Sequence, residues 1–256
     1  MTATMHNSTR ERLAAGEPVF GCFLRYPDAG LAELLALQGL DFVVFDGEHG
    51  TLAPRACEHL VRAVELHGVT PGVRVDENRA ATILRYLDAG ALVVHVPGVE
   101  SAADAEDAVR AVKFRPRGDR GLSPSRASRF GAREGYPAYI ANANRDTQVV
   151  VHVESAAGVE AASEIAAVDG VDVLLFGALD LSHDLGRPGE VEHPELVACA
   201  ERVAAAAAGA GKVLGAAPGN AAGVRRWLDR GARYVIVTVE SFVTPGVERF
   251  LTEARR

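Results

Sequence analysis

Three ionisable side chains fall within four residues at Asp46-Gly47-Glu48-His49, and Gly50 follows them. The apolar, β-rich run Phe42 to Phe45 leads straight into them. Two carboxylates and an imidazole at the end of such a run are a poor way to build a core. They are the groups a proton-transfer site needs, although a solvated turn with a surface histidine has the same composition. The same position type recurs along the chain. Arg25, Arg74, Glu154 and Asp180 each stand at or just past the end of an apolar run. Glu154 and Asp180 end consecutive runs, and two neighbouring carboxylates repel unless a cation lies between them. Two carboxylates completed by water and substrate oxygens suit an octahedral Mg²⁺ or Mn²⁺. An acid at either place can also cap the helix that follows it. His183 is a weaker ligand candidate. Asp88 precedes Gly90 at the end of a helical pattern, where an acid opposes the helix dipole and calls for a partner. His49 is a candidate for that partner. His95 lies within an apolar run and reads as a satisfied core residue.

The elements that carry these residues alternate. Strand signals fall at 18–24, 42–45, 69–75, 91–96, 148–153, 171–176, 212–216 and 234–239. Helical patterns lie between and after them, at 29–38, 54–66, 78–88, after Ser101, and at 157–167, 195–209, 220–230 and 245–254. Residues 1–17 read as a helical lead-in. Parallel strands need a helical crossover between neighbours. Eight such units predict an α/β fold, a (β/α)8 TIM barrel, as a single domain over 1–256. In a barrel the strand ends converge on one face, where active sites are built. An open doubly wound sheet is the alternative, but no Gly-x-Gly-x-x-Gly follows the first strand. Residues 114–147 break the rhythm with a basic, turn-rich stretch and a helix near 136–142, and an interruption this long is more often functional than passive.

Hydrophobic residues make up 48% of the 256, enough for one large core. The net charge of -7, spread without long blocks, argues against nucleic acid as a partner. No apolar segment approaches the roughly 20 residues of a membrane span, and Met1 to Arg12 lacks the apolar stretch of a signal peptide. Cys22, Cys57 and Cys199 are scattered, which excludes a disulfide framework and points to a reduced, cytoplasmic protein. Lys113 and Lys212 do not end strands, so a Schiff-base mechanism is disfavoured.

The chain from about Val19 to Phe250 resembles the HpcH/HpaI aldolases, metal-dependent class II enzymes that include 4-hydroxy-2-oxoheptanedioate and 2-dehydro-3-deoxyglucarate aldolases. The resemblance is carried by Phe45-Asp46-Gly47-Glu48-His49, Val73-Arg74, Leu87-Asp88-Ala89-Gly90-Ala91, Gly118-Asp119-Arg120-Gly121, Val153-Glu154-Ser155 and Gly177-x-x-Asp180-Leu181-Ser182. It implies a (β/α)8 barrel that forms a homo-oligomer, a hexamer or trimer of dimers, with the last helix exchanged between subunits. It implies an aldolase that makes or breaks a C–C bond between pyruvate, or a related 2-oxo acid, and an aldehyde. His49 would be the general base, hydrogen-bonded to Asp88. Arg74 would hold the oxo and carboxylate oxygens and stabilise the enolate. Glu154 and Asp180 would bind the divalent metal, Mg²⁺ or Mn²⁺, with Co²⁺ also admissible. Backbone amides from Gly177 through Ala178 and Leu179 to Asp180 would hold the carboxylate. The chain departs from the family where His152 replaces a glutamine, where Ala178-Leu179 replaces Pro-(Ser/Ala), and where Arg25 replaces a small polar residue. These three line the substrate pocket, and Arg25 favours a substrate with a second carboxylate. One branch of the family resembles citrate-forming enzymes of siderophore assembly, which condense oxaloacetate with an acyl thioester. That reaction, or a barrel that binds a keto acid without turning it over, is the alternative function.

Overall fold

Strands buried on both faces are largely apolar, and the eight strands of this chain are, with Asp46, Arg74, His95, Gln148 and His152 among the buried polar exceptions. A computed structural model describes residues 6–131 and 135–256. The strands are β1 (Val19–Leu24), β2 (Phe42–Asp46), β3 (Thr70–Arg74), β4 (Val93–Val96), β5 (Gln148–Val153), β6 (Val173–Phe176), β7 (Val213–Ala216) and β8 (Tyr234–Thr238). They pair in parallel in sequence order, and β8 closes on β1. The predicted (β/α)8 barrel is the observed fold.

The twelve α-helices of the described residues are α1 (Ser8–Ala14), α2 (Ala29–Ala36), α3 (Pro54–Glu65), α4 (Ala80–Ala89), α5 (Ala102–Val112), α6 (Tyr136–Asp146), α7 (Ala156–Glu160), α8 (Ala162–Ala167), α9 (Ala178–Asp184), α10 (Pro194–Gly209), α11 (Ala221–Asp229) and α12 (Glu240–Ala254). Side chains that alternate along each strand divide the core in two. Val43 and Phe45 pack outward under the helices, while Phe42 and Val44 join Phe23, Val150, Leu175 and Ile236 inside the barrel. From the predicted lead-in, α1 closes the N-terminal end of the barrel, with Leu13 in the interior cluster. Residues 1–5 of that lead-in lie outside the described residues.

Three elements differ from the sequence reading. The helix expected over 157–167 breaks at Ala161 into α7 and α8. A further helix, α9, follows Gly177 at once. Helix α12 starts five residues before Pro245 and runs through it. The chain leaving β8 is already helical, with the Phe242 and Val243 amides on the Val239 carbonyl, so the proline costs one hydrogen bond and not the helix. The basic interruption serves the barrel's other end. The Asp119 and Arg120 amides take the Arg110 and Lys113 carbonyls at 2.8 and 2.9 Å, and Arg126 takes the Ala89 carbonyl at 3.1 Å. These are the C-terminal carbonyls of α5 and α4, left without partners by the helix itself. These residues of the segment thus cap the ends of two helices.

Candidate active site

Asp46 is the last residue of β2 and has no exposed surface. Its Oδ1 accepts the amides of Glu48 and His49 at 3.1 and 3.2 Å, which folds the turn back on the strand end. Gly50 permits that fold, because a Cβ there would lie 2.8 Å from the Arg25 carbonyl oxygen. The same carboxylate takes two parallel hydrogen bonds from Arg74, the last residue of β3: Nε at 2.9 Å and Nη2 at 2.6 Å. Arg74 Nη1 lies 2.9 Å from Glu48, and the guanidinium sits over the Phe23 ring at 4.4 Å. Burial pushes Asp46 up, but the hydrogen bonds and charge of Arg74, with the two turn amides, outweigh it and hold the carboxyl below its ordinary value.

A carboxyl depressed in the folded state contributes stability above its unfolded value and loses it as pH falls. Asp46→Asn, which removes the charge facing buried Arg74, is expected to cost roughly 2 to 3 kcal/mol at neutral pH, the scale of a charged hydrogen bond. That is about 5 to 10 °C in Tm. Thermal melts should show the gap to the unsubstituted protein narrowing below about pH 4, the ordinary carboxylate range. A constant gap contradicts the assignment.

Glu154 follows β5 directly and is largely buried. It does not cap α7, because Ser155 does so by accepting the Gly158 amide. Its Oε1 instead accepts the Gly98 amide at 2.7 Å, and Oε2 lies 3.4 Å from His152 Nδ1. Gly177 leaves it room: a Cβ at 177 would come within 2.6 Å of Oε2. Burial pushes the Glu154 carboxyl up, yet the bond and charge of His152, the Gly98 amide and Arg74 hold it below its ordinary value. Glu48 moves the other way, raised by burial and by the charge of Glu154 against the pull of Arg74. Asp180 lies in the first turn of α9, exposed, and His183 lies in its last turn.

The donor chemistry suits a divalent cation. Glu154 is held charged, and with Oε1 on the Gly98 amide and Oε2 3.4 Å from His152 Nδ1 it keeps lone pairs on both oxygens. Among the described residues no group of three or more His, Cys, Asp or Glu forms a closed cage. A cation shared with a substrate takes its other ligands from water and that substrate, and Glu154 at the end of β5 and Asp180 in the first turn of α9 follow neighbouring strands. Beside them, a cleft of about 570 Å³ opens over Phe23, Phe176, Ala178 and Leu179 and runs out to Arg226 and Trp227. That size accommodates a small-molecule substrate.

Three expectations are corrected. Asp88 does not reach His49 within the chain. His49 follows the C-terminal end of β2, whereas Asp88 ends α4, which runs back to the opposite end of the barrel; its carboxylate faces Arg120 at 3.6 Å. Among the described residues the exposed His49 ring makes no hydrogen bond within the chain. The Gly177 amide is not free for a ligand, because it donates to the Val153 carbonyl at 3.0 Å. The amides of Ala178, Leu179 and Asp180, the first turn of α9, have no partner within their helix. His152, expected to line the substrate pocket, is buried with its ring nitrogens turned to His95 and Glu154, whereas Arg25 stays partly exposed with Nε 3.6 Å from Asp46. His95 is fully buried as expected. Sequence reasoning missed the positioning role of Asp46, for which the signal was an acid two and three residues before amides that must turn. It also missed Phe23 under Arg74, which had no signal.

The closed barrel, with acids, an arginine and a histidine on its C-terminal mouth, defines an enzyme of the barrel class. A family model, HpcH/HpaI aldolase/citrate lyase, matches residues 19–244. The chain belongs to this family and is a carbon–carbon lyase of the aldolase type. It is 35% identical over 236 residues to a hydroxypyruvate/pyruvate aldolase of Roseovarius nubinhibens, covering 91% of each chain. It is 36% identical over 240 residues to a 4-hydroxy-2-oxovalerate aldolase of Novosphingobium aromaticivorans, covering 92% of this chain and 89% of that one. A crystal structure of a family member from Burkholderia cenocepacia superposes with a TM-score of 0.92 at 35% identity, covering 98% of this chain and all of the other. Among the described residues no helix is long and apolar enough to cross a membrane.

Proposed function

We propose that the chain cleaves 4-hydroxy-2-oxo acids to pyruvate and an aldehyde, and joins the two in reverse, with Mg²⁺ or Mn²⁺ held by Glu154 and Asp180. The observation that carries this reading is buried Arg74, locked by Asp46 on the same mouth as the charged Glu154. The first-turn amides at Ala178, Leu179 and Asp180 hold the substrate carboxylate. Arg74 keeps Asp46 and turns Nη1, now on Glu48, to the oxo and carboxylate oxygens, where negative charge develops. His49, at the exposed rim, takes the proton of the 4-hydroxyl. A bound divalent cation supplies a Lewis acid at the 2-oxo group. Lys113 and Lys212 donate to backbone carbonyls at the other end of the barrel, so neither reaches the substrate.

The aldehyde half lies in the cleft, with Arg25, partly exposed on the same mouth, favouring an acidic substrate. The test is pyruvate release from a panel of 4-hydroxy-2-oxo acids, with and without added Mn²⁺. Arg25→Ser is run on a matched pair, one ending in a carboxylate and one in a hydroxymethyl group. Metal-dependent release is expected. The Arg25 variant should lose roughly 30- to 150-fold in kcat/KM on the acid alone, the value of a charge-assisted hydrogen bond. No release from any member, with turnover of oxaloacetate and an acyl thioester instead, replaces this reading with the condensation.

The assembly and location belong to the same proposal. Helix α12 has no buried residue and leaves Phe242, Val247 and Phe250 exposed. That surface supports a homo-oligomer, a hexamer with the last helix exchanged. Truncation before Glu240 is expected to reduce the assembly to smaller species in light scattering, and an unchanged mass refutes the exchange. Buried Cys22 and Cys57, pushed up to about 12 by burial, are inert thiols that fit a cytoplasmic protein.

A further inference from the structure

Three polar side chains run through the barrel interior in one hydrogen-bonded line. Tyr234, first residue of β8, has no exposed surface, and its ring stacks on Phe42 with centroids 4.3 Å apart. Its hydroxyl lies 2.8 Å from His95 Nε2, and His95 Nδ1 lies 3.0 Å from His152 Nε2. His152 Nδ1 lies 3.4 Å from Glu154 Oε2. Phe23 presents an edge-on ring to both imidazoles. The line crosses from β8 to β4 to β5 and ends on the mouth.

The order of protons along the line follows from its buried end. Burial keeps the phenol protonated, far above its ordinary value, and keeps His95 neutral, well below its own. Among the described residues the Tyr234 hydroxyl has no hydrogen-bond partner besides His95, so its proton is satisfied only by pointing at Nε2. A neutral imidazole has one donor and one acceptor nitrogen. With Nε2 accepting, His95 carries its proton on Nδ1 and donates to His152 Nε2. With that nitrogen accepting, His152 carries its proton on Nδ1, the nitrogen 3.4 Å from Glu154 Oε2. Reversing any link sets two lone pairs or two protons face to face in a buried space.

We propose that Tyr234 and His95 are positioning residues that act through His152 to fix the orientation of the Glu154 carboxylate. This rests on the reading of Glu154 as a metal ligand. The line anchors Oε2, the Gly98 amide anchors Oε1, and the remaining lone pairs are left aimed at the mouth. Partners of this kind behind a ligand set its direction and affinity.

The test uses the full chain. Nitrogen-15 NMR of histidine-labelled, metal-free protein is expected to show both His95 and His152 protonated at Nδ1; a proton on His95 Nε2 overturns the proposal. Mn²⁺ affinity is then read by electron paramagnetic resonance. Tyr234→Phe keeps the stack on Phe42 and removes only the donor, and should weaken binding about tenfold. His152→Leu should weaken it about ten- to a hundredfold. His152→Gln, whose amide can both accept from His95 and donate to Glu154, should restore it. Equal affinity of the Gln and Leu variants, or unweakened binding by Tyr234→Phe, overturns the proposal. If Tyr234→Phe fails to fold, the comparison at 152 decides. A chain that binds Mn²⁺ but releases no pyruvate overturns the aldolase reading and leaves this one standing; a chain that binds no Mn²⁺ overturns both.

Discussion

Glu154→Gln is expected to lower pyruvate release by about a thousandfold or more. Lewis-acid stabilisation by a bound cation is worth several kcal/mol, and 1.36 kcal/mol is a factor of ten. The substitution is conservative for the fold. The amide oxygen of glutamine can still accept from Gly98, and the side-chain volume is unchanged, so the space made by Gly177 stays filled. What is lost is the charge that His152, Gly98 and Arg74 hold in place against burial. Asp180→Asn should act in the same direction. Asp180 is exposed on α9 and supports no core contact, so its loss leaves the cation underbound without opening the barrel. Calorimetry with Mn²⁺ on each variant, beside a thermal melt, separates the two effects. Full metal affinity in either variant removes that residue from the ligand set. A melt shifted by more than a few degrees assigns the loss to folding.

His49→Ala should lower cleavage by about a hundredfold or more, the usual cost of a lost general base. Metal and pyruvate binding should persist, because the imidazole is exposed and makes no hydrogen bond within the chain among the described residues. The turn that carries it is held by its backbone amide on Asp46, which alanine keeps. Stopped-flow measurement of pyruvate release, with pyruvate affinity measured in parallel, tests this. A loss confined to KM assigns His49 to binding. Unchanged kcat removes it from proton transfer. The prediction is independent of Asp88, which lies at the other end of this chain's barrel.

The sequence by itself determined the barrel, because the signals that specify it are local. Apolar runs such as 42–45 and 148–153 reappear as β2 and β5 within a residue at each end. Ser101 caps α5 as the sequence predicts, and Gly90 ends α4 in the left-handed conformation. The strand-end rule also located Arg25, Asp46, Arg74 and Glu154 on one mouth, since a parallel barrel sends every strand the same way. Which side chain meets which was decided only by tertiary structure. Asp46 takes Arg74 because adjacent strands in register set Asp46 beside Arg74, a pairing between residues 28 apart. The line from Tyr234 through His95 and His152 joins strands 139 residues apart at its first step, and no local pattern records it. Asp88 and His49 show the converse. Residue type made them a plausible pair, but a helix that returns antiparallel to its strand carries its last turn to the far end of the barrel, and distance along the chain says nothing of that.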